Sequence, residues 1–351
     1  MDKLSNKKVA LVYDWVDKWG GAERVLLTLH EMFPDAPLYT AVYNANNAPW
    51  AKVFPKIIAP KIKFKHEWFP WLIPMIFETY NFDQYDLVIS VSSFAAKGII
   101  TKPHTTHINY CLTPTRFLWS HSSLYGADNF GPFFEYLKSW DRVASNRPDK
   151  IIAISKTVQE RISNFYQKDS DVVYPPVNTG FFVPDTNPQT DYFLVVGRME
   201  SYKNGKKIIE IFNTQNIPLV VVGTGSIESE LKSIAGPNIT FAGQISDEKL
   251  LRYYQNCKAL IFWHEEDFGI IPVEVMSCGK PVIGLDRGGV SETVIDRKTG
   301  VLVNDEINNL ISAILSFDLH KFDSDIIRKR ALEFSKAKFI AKLNRLCRTV
   351  T

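Results

Sequence analysis

Two glutamates, Glu266 and Glu274, flank a Phe-Gly turn in the stretch Glu-Glu-Asp-Phe-Gly-Ile-Ile-Pro-Val-Glu, residues 265–274. An apolar run from Ala259 to Trp263 predicts a buried strand just before it. Pro272 then falls in the first turn of a helix, where a missing N–H costs little. Gly269 lets the backbone approach a ligand closely. The N–H groups of Phe268, Gly269 and Ile270 would point at an anion such as a diphosphate. Helical side chains lean toward the N-terminus, so Glu274 can reach the same ligand, with Glu266 in the loop above. Amides for phosphate and carboxylates for hydroxyls suit a sugar nucleotide. The plainer reading is a buried strand and a helix carrying ordinary surface acids.

A second cluster lies upstream. Gly197-Arg198 follows an apolar run, and Lys203 stands near a helix start. Ligands of open α/β sheets bind beyond the carboxyl ends of the strands. Arg198 and Lys203 can therefore meet a diphosphate, one as a planar fork and the other as a point charge. Gly20-Gly21 also sits between a strand and a helix, with Glu23 in the first helical turn, and its amides could face a phosphate or an acceptor. Gly223-Thr224-Gly225 lacks a third glycine and reads as a structural turn. Asp169-Ser170-Asp171 precedes a strand and Asp323-Ser324-Asp325 reads as a helix cap. Neither suits a metal, and no metal is expected.

The elements that must hold these residues alternate between strand and helix through both halves, which predicts α/β architecture with parallel sheets. Residues 9–13, 87–91, 107–112 and 151–154 read as strands of the first half. Residues 192–196, 219–222, 239–242, 259–263 and 282–285 read as strands of the second. Val172-Val173-Tyr174-Pro175-Pro176-Val177-Asn178 forms the seam, because paired prolines stiffen the chain and stop helices. Residues 326–348 read as one basic helical pattern. The chain has 351 residues, enough for two domains. A net charge of only +3 argues against nucleic acid as a partner. The four cysteines are widely spaced, which fits a reducing compartment and no zinc site. The N-terminal apolar stretch is broken by Asp14 and is too short for a signal-peptide core. No run of about 18 apolar residues would span a membrane.

The 265–292 string, with its Phe-Gly pair, second glutamate, Gly-Lys-Pro-Val strand entry and Gly-Gly-x-x-Glu, closely resembles the E-x7-E signature of retaining family 4 glycosyltransferases. The resemblance covers nearly the whole chain and is strongest over residues 196–303. It implies a GT-B fold, in which two Rossmann-like domains face a central cleft. Residues 1–177 would form the acceptor-binding domain and residues 178–330 the nucleotide-sugar domain. Residues 331–351 would form a helix crossing back. Arg198, Lys203 and Glu266 would be catalytic: two cations on the donor diphosphate and a carboxylate on the sugar hydroxyls. Glu274 would hold the ribose. Gly20 and Gly21, the Gly243-Gln244 turn, and Phe268, Gly269 and Ile270 would complete the donor site.

Residues 110–119, Tyr-Cys-Leu-Thr-Pro-Thr-Arg-Phe-Leu-Trp, resemble a segment of the subgroup that builds bacterial O-antigens and related surface polysaccharides with mannose. That subgroup often carries histidine where this chain has Leu112, and His121 is off register. Arg116 is the polar candidate for an acceptor phosphate or glycan. The resemblance implies transfer of a hexose, GDP-mannose leading and UDP-sugars open, onto a lipid-linked saccharide or glycan. A sugar-nucleotide-binding partner without catalysis is the alternative that Leu112 motivates. A nicotinamide-dependent oxidoreductase suffers from the incomplete glycine fingerprint. No cofactor beyond the donor is expected. Lys52, Lys56, Lys61, Lys63 and Lys65 precede an aromatic, proline-broken run, residues 68–77. This reads equally as a peripheral membrane contact or as a buried connection with a lysine fringe. The expected location is the cytoplasm, at the inner face of the cell membrane.

Overall fold

Each half opens on a short run of aliphatic and aromatic side chains, Val9–Tyr13 and Tyr192–Val196. Such runs are what a strand covered on both faces requires. The computed structural model describes residues 7–61, 70–120, 131–188 and 191–350. The chain divides into two compact units, Met1–Pro176 with Phe339–Thr351, and Val177–Lys338. The division falls within the proline-bearing stretch after Pro176.

The first unit holds strands β1 (Val9–Tyr13), β2 (Leu38–Thr40), β3 (Ile57–Ile58), β4 (Leu87–Ser92), β5 (Thr106–Cys111), β6 (Lys150–Ala153) and β7 (Asp171–Val172). They form one sheet in the order β3-β2-β1-β4-β5-β6-β7, and every pairing is parallel. The order reverses between β1 and β4. There the buried Asp14 carboxylate accepts from the backbone N–H groups of Ser93 at 2.6 Å, Phe94 at 3.0 Å and Ala96 at 2.7 Å. One carboxylate thus ties the end of β1 to the turn after β4. The helix Lys336–Val350 ends in this unit, with Phe339 edge-on to Tyr110 at 5.8 Å.

The second unit holds β8 (Tyr192–Val196), β9 (Leu219–Val222), β10 (Ile239–Gly243), β11 (Cys257–Phe262), β12 (Val282–Leu285) and β13 (Gly300–Val303). Their order is β10-β9-β8-β11-β12-β13, again parallel throughout. This is the doubly wound order, with its reversal between β8 and β11. The core packs Ile208 and Phe212 of the helix Gly205–Gln215 against Phe193, Val221 and Ile261 of the sheet. Burying each such side chain stabilises the fold by about 1.5–3 kcal/mol.

The single helical pattern expected over residues 326–348 is two helices, Ser324–Leu332 and Lys336–Val350. Phe334 between them is buried, its carbonyl accepts from Val177 N–H at 3.0 Å, and Ser335 bridges Val177. That extended bridge takes the residues a continuous helix would need. Asp323 caps the first of these helices, accepting from Asp325 N–H at 2.8 Å and Ile326 N–H at 3.2 Å. Asp171 lies on β7 and pairs with Lys150 at 2.5 Å. Among the described residues no cluster of His, Cys, Asp and Glu could hold a metal ion. No described helix is long and apolar enough to cross a membrane. All four cysteines are buried.

Candidate active site

The reversal between β8 and β11 sets the place where a ligand of this sheet would bind. Beyond β8 the chain passes through Gly197, Arg198 and the buried Met199 into a single turn, Ser201–Lys203. Asn204 then adopts a left-handed conformation, φ 57°, and its side-chain amide donates to the Trp263 carbonyl at 2.9 Å. Trp263 closes β11 and is fully buried. This bond ties the two strand ends together and aims Lys203 across the crevice. Lys203 Nζ meets Glu266 Oε1 at 2.5 Å, although the two lie 63 residues apart. Arg198 is exposed beside them, and among the described residues no acceptor takes its guanidinium. Gly197, Arg198, Lys203 and His264 line one pocket.

His264 adds a second contact to Glu266, its Nε2 lying 3.2 Å from the same Oε1. Burial pulls the Glu266 carboxyl upward, but the His264 hydrogen bond and the Lys203 charge overcome it and hold it at about 2. Burial pushes His264 below its ordinary value, against the opposing pull of Glu266. At neutral pH the cluster is therefore one cation, one carboxylate and one neutral imidazole. Because a carboxylate only accepts, Nε2 carries the imidazole proton.

Glycines let the surrounding loops close onto each other. A Cβ on Gly289 would lie 2.3 Å from Phe268 Cα, and one on Gly288 would lie 2.5 Å from the Glu266 carbonyl oxygen. Gly289 N–H donates to that carbonyl at 2.9 Å. The Gly-Gly pair thus fixes the loop that carries Glu266. On the other side, a Cβ on Gly223 would meet the Gly197 carbonyl at 2.1 Å, and one on Gly225 the Met199 backbone at 2.3 Å. Backbone-to-backbone packing accounts for Gly223-Thr224-Gly225, in agreement with its reading as a turn. Gly269, φ 81°, stands before the helix Ile270–Ser277 and supplies no side-chain cap to its first amides. Phe268 is buried beside it and packs on Phe334 at 5.7 Å.

Glu274 is only 1% exposed, and its Oε2 accepts from Tyr254 at 2.9 Å. Gly243, φ 66°, ends β10 at a break in register, followed by the exposed Gln244. The remaining candidates belong to the first unit. Gly20 is extended and leads into the helix Gly21–Met32, whose buried Glu23 accepts from Tyr13 at 2.7 Å. Arg116 is half-buried and opens the short helix Arg116–Trp119, and Leu112 is half-buried at the end of β5. His121 and the Lys63, Lys65, Trp68 and Phe69 portion of the basic aromatic patch lie outside the described residues.

Sequence reasoning did not single out His264 or Tyr254. His264 follows the strand run directly, where a polar residue after Trp263 was a usable signal for a strand-end site. Tyr254 reads as one more aromatic on an amphipathic helix and carries no such signal.

Two parallel sheets, both with the doubly wound order, are the GT-B fold of glycosyltransferases. Residues 177–331 match the family described as glycosyl transferases group 1. The chain is similar to an uncharacterized glycosyltransferase, MJ1178, of Methanocaldococcus jannaschii, with 26% identity over 58% of this chain and 57% of that protein. It is also similar to the alpha-1,3/1,6-mannosyltransferase ALG2 of Mus musculus, with 22% identity over 86% of this chain and 85% of the relative. The O-antigen chain mannosyltransferase RfbU of Salmonella typhimurium shares 26% identity over 61% of this chain and 63% of its own. The chain spans about half the length of the first curated relatives it matches. Among solved structures, Anabaena Alr3699/HepE in complex with UDP superposes with a TM-score of 0.75 at 16% identity, covering 97% of this chain and 100% of that one. Sucrose-phosphate synthase of Thermosynechococcus elongatus superposes with a TM-score of 0.78 at 17% identity, covering 97% and 98%.

Proposed function

We propose that this chain is a retaining family 4 glycosyltransferase. It moves a hexose from a nucleotide sugar, GDP-mannose first among the donors, to a lipid-linked or polysaccharide glycan at the inner face of the cell membrane. The observation that carries this reading is the meeting of Lys203 and Glu266 at the point where the second sheet reverses, with Arg198 open beside them. Mannose is favoured by the relatives named as mannosyltransferases.

In this reading Arg198, Lys203 and the amides that open the helix Ile270–Ser277 stabilise charge growing on the leaving diphosphate. Fixed donors aimed at developing charge supply the largest share of many enzymes' rate enhancement. Glu266 accepts from sugar hydroxyls, and Glu274, shared with Tyr254, from the ribose. A leaving phosphate oxygen takes the acceptor proton on the same face, so Leu112 in place of a histidine does not stop the reaction. No metal enters this route. Arg116 serves the acceptor. Exposed Leu72, Met75, Phe133 and Tyr136 of the first unit supply the described part of a membrane contact.

The test is a panel of GDP- and UDP-sugars with nucleoside diphosphate release as the readout, run beside Arg198→Ala and Glu266→Ala. Release from one donor, lost in both variants, supports the reading and names the sugar. Nucleotide that stabilises the fold without turnover, even with lipid-linked acceptor extracts, would leave a binding protein instead.

A further inference from the structure

We propose that His264 is a positioning residue: it keeps the Glu266 carboxylate in place for a sugar hydroxyl when Lys203 leaves that carboxylate for the donor diphosphate. The inference rests on the proposed transferase reading and names a residue that reading does not use.

Lys203 and His264 converge on one oxygen, Glu266 Oε1, at 2.5 Å and 3.2 Å. Among the described residues no donor reaches Oε2. Glu266 is 27% exposed, Lys203 12% and His264 7%. The carboxylate is thus gripped through one oxygen with the other left for a ligand. The two grips differ in kind. Lys203 ends a long flexible stem and carries a full charge, so an incoming diphosphate in the pocket it lines competes for it directly. His264 is sunk at the end of β11, its ring packed on Phe262 with centroids 4.1 Å apart. Burial and ring packing hold it rather than a charge, so the diphosphate does not draw it away.

This matters at the moment the donor enters. Glu266 then loses its cation just as a multiply charged anion arrives, and both changes favour a protonated, freely rotating carboxyl. The hydrogen bond from His264 Nε2 opposes both, by favouring the ionised form and by fixing Oε1. Among the described residues the charged groups facing His264 are Glu266 of its own loop and Lys203 of the turn after β8; Arg198 and Glu200 line the same pocket.

The experiment compares wild type with His264→Ala and His264→Gln, the second keeping a side-chain donor. Wild-type turnover of a sugar nucleotide is read first. If no GDP- or UDP-sugar is turned over, the transferase reading fails and this inference falls with it. With turnover established, His264→Ala is expected to lower kcat about tenfold or more. It should also move the acid limb of the kcat profile up by about one pH unit. Affinity for the free nucleoside diphosphate, GDP or UDP, should change little, and His264→Gln should recover part of kcat. Should His264→Ala not fold, the His264→Gln acid limb and diphosphate affinity carry the comparison. An unmoved acid limb, or a loss of diphosphate affinity equal to the loss in kcat, would overturn the inference.

Discussion

The Tyr254 hydroxyl donates to Glu274 Oε2 at 2.9 Å, and both side chains are almost sealed from solvent. The tyrosine stands on the helix Asp247–Asn256 and the glutamate on the helix Ile270–Ser277. A buried carboxylate deprived of a donor loses the free energy that bond supplied. Tyr254→Phe should therefore destabilise the protein by about 1–3 kcal/mol. Urea unfolding measures this, and an unchanged midpoint would mean that Glu274 does not need the bond. If Glu274 also holds the ribose, the same variant should raise the donor KM more than it lowers kcat.

Two glycines of left-handed or closely packed backbone separate steric demand from conformational demand. Gly289 faces Phe268 Cα at 2.3 Å, whereas nothing lies within 4 Å of a Cβ on Gly243. Gly289→Ala must move the loop that carries Glu266 and should cost about 1–3 kcal/mol together with most of the donor affinity. Gly243→Ala, at φ 66°, meets only backbone strain of about 1–2 kcal/mol and should keep donor affinity. Equal effects of the two on donor binding would refute the distinction.

The contrast between what the sequence disclosed and what it hid follows from range. The strands Val9–Tyr13, Tyr192–Val196, Leu219–Val222 and Val282–Leu285 fall where the apolar runs placed them, because a strand covered on both faces writes its burial into consecutive residues. The two-residue strands Ile57–Ile58 and Asp171–Val172 carry no such run and form only because a neighbour offers an edge. Likewise Lys203 and Glu266 each stood out at a strand end, yet their contact depends on β8 lying beside β11. No local pattern encodes that neighbour. Asp14 acts through partners about 80 residues away in sequence and His264 through Glu266 two residues on, and single-residue chemistry announces neither.

A buried ion pair lies under the helix that opens with Arg116. Lys97 Nζ meets Asp141 Oδ1 at 2.5 Å, the two being 3% and 0% exposed. Thr115 donates to the same oxygen at 2.7 Å, and Trp119 and Tyr166 donate to Oδ2 at 2.8 Å and 2.7 Å. Asp141→Leu would strand the Lys97 charge and should cost about 3–5 kcal/mol, while adding Lys97→Met should recover only part of that loss, because Thr115, Trp119 and Tyr166 still lack their acceptor. A double-mutant cycle in urea reads the coupling, and additive losses would rule it out. Thr115 and Trp119 bracket Arg116, so the single variant should also raise acceptor KM if Arg116 binds acceptor.

His107 sets an acid limit on stability. Its Nε2 pairs with Ser90 Oγ at 2.8 Å, and among the described residues its buried Nδ1 has no hydrogen-bond partner. Burial, then the Arg147 charge, lower the imidazole from 6.5 to about 3. Between those values the unfolded chain binds a proton that the folded chain refuses, so stability falls as pH drops from 6.5 toward 3. The slope from this group is up to about 1.4 kcal/mol per pH unit. Asp14 and Glu23 act with the opposite sign, because burial raises both carboxyls and the folded state then holds protons more tightly than the unfolded chain. The raw pH profile mixes these terms, so the measurement is a difference. Urea midpoints for wild type and His107→Asn, compared at pH 7 and pH 4.5, should converge as the pH falls, since only the wild type loses the imidazole contribution. A constant gap between the two would show that His107 is protonated alike in both states.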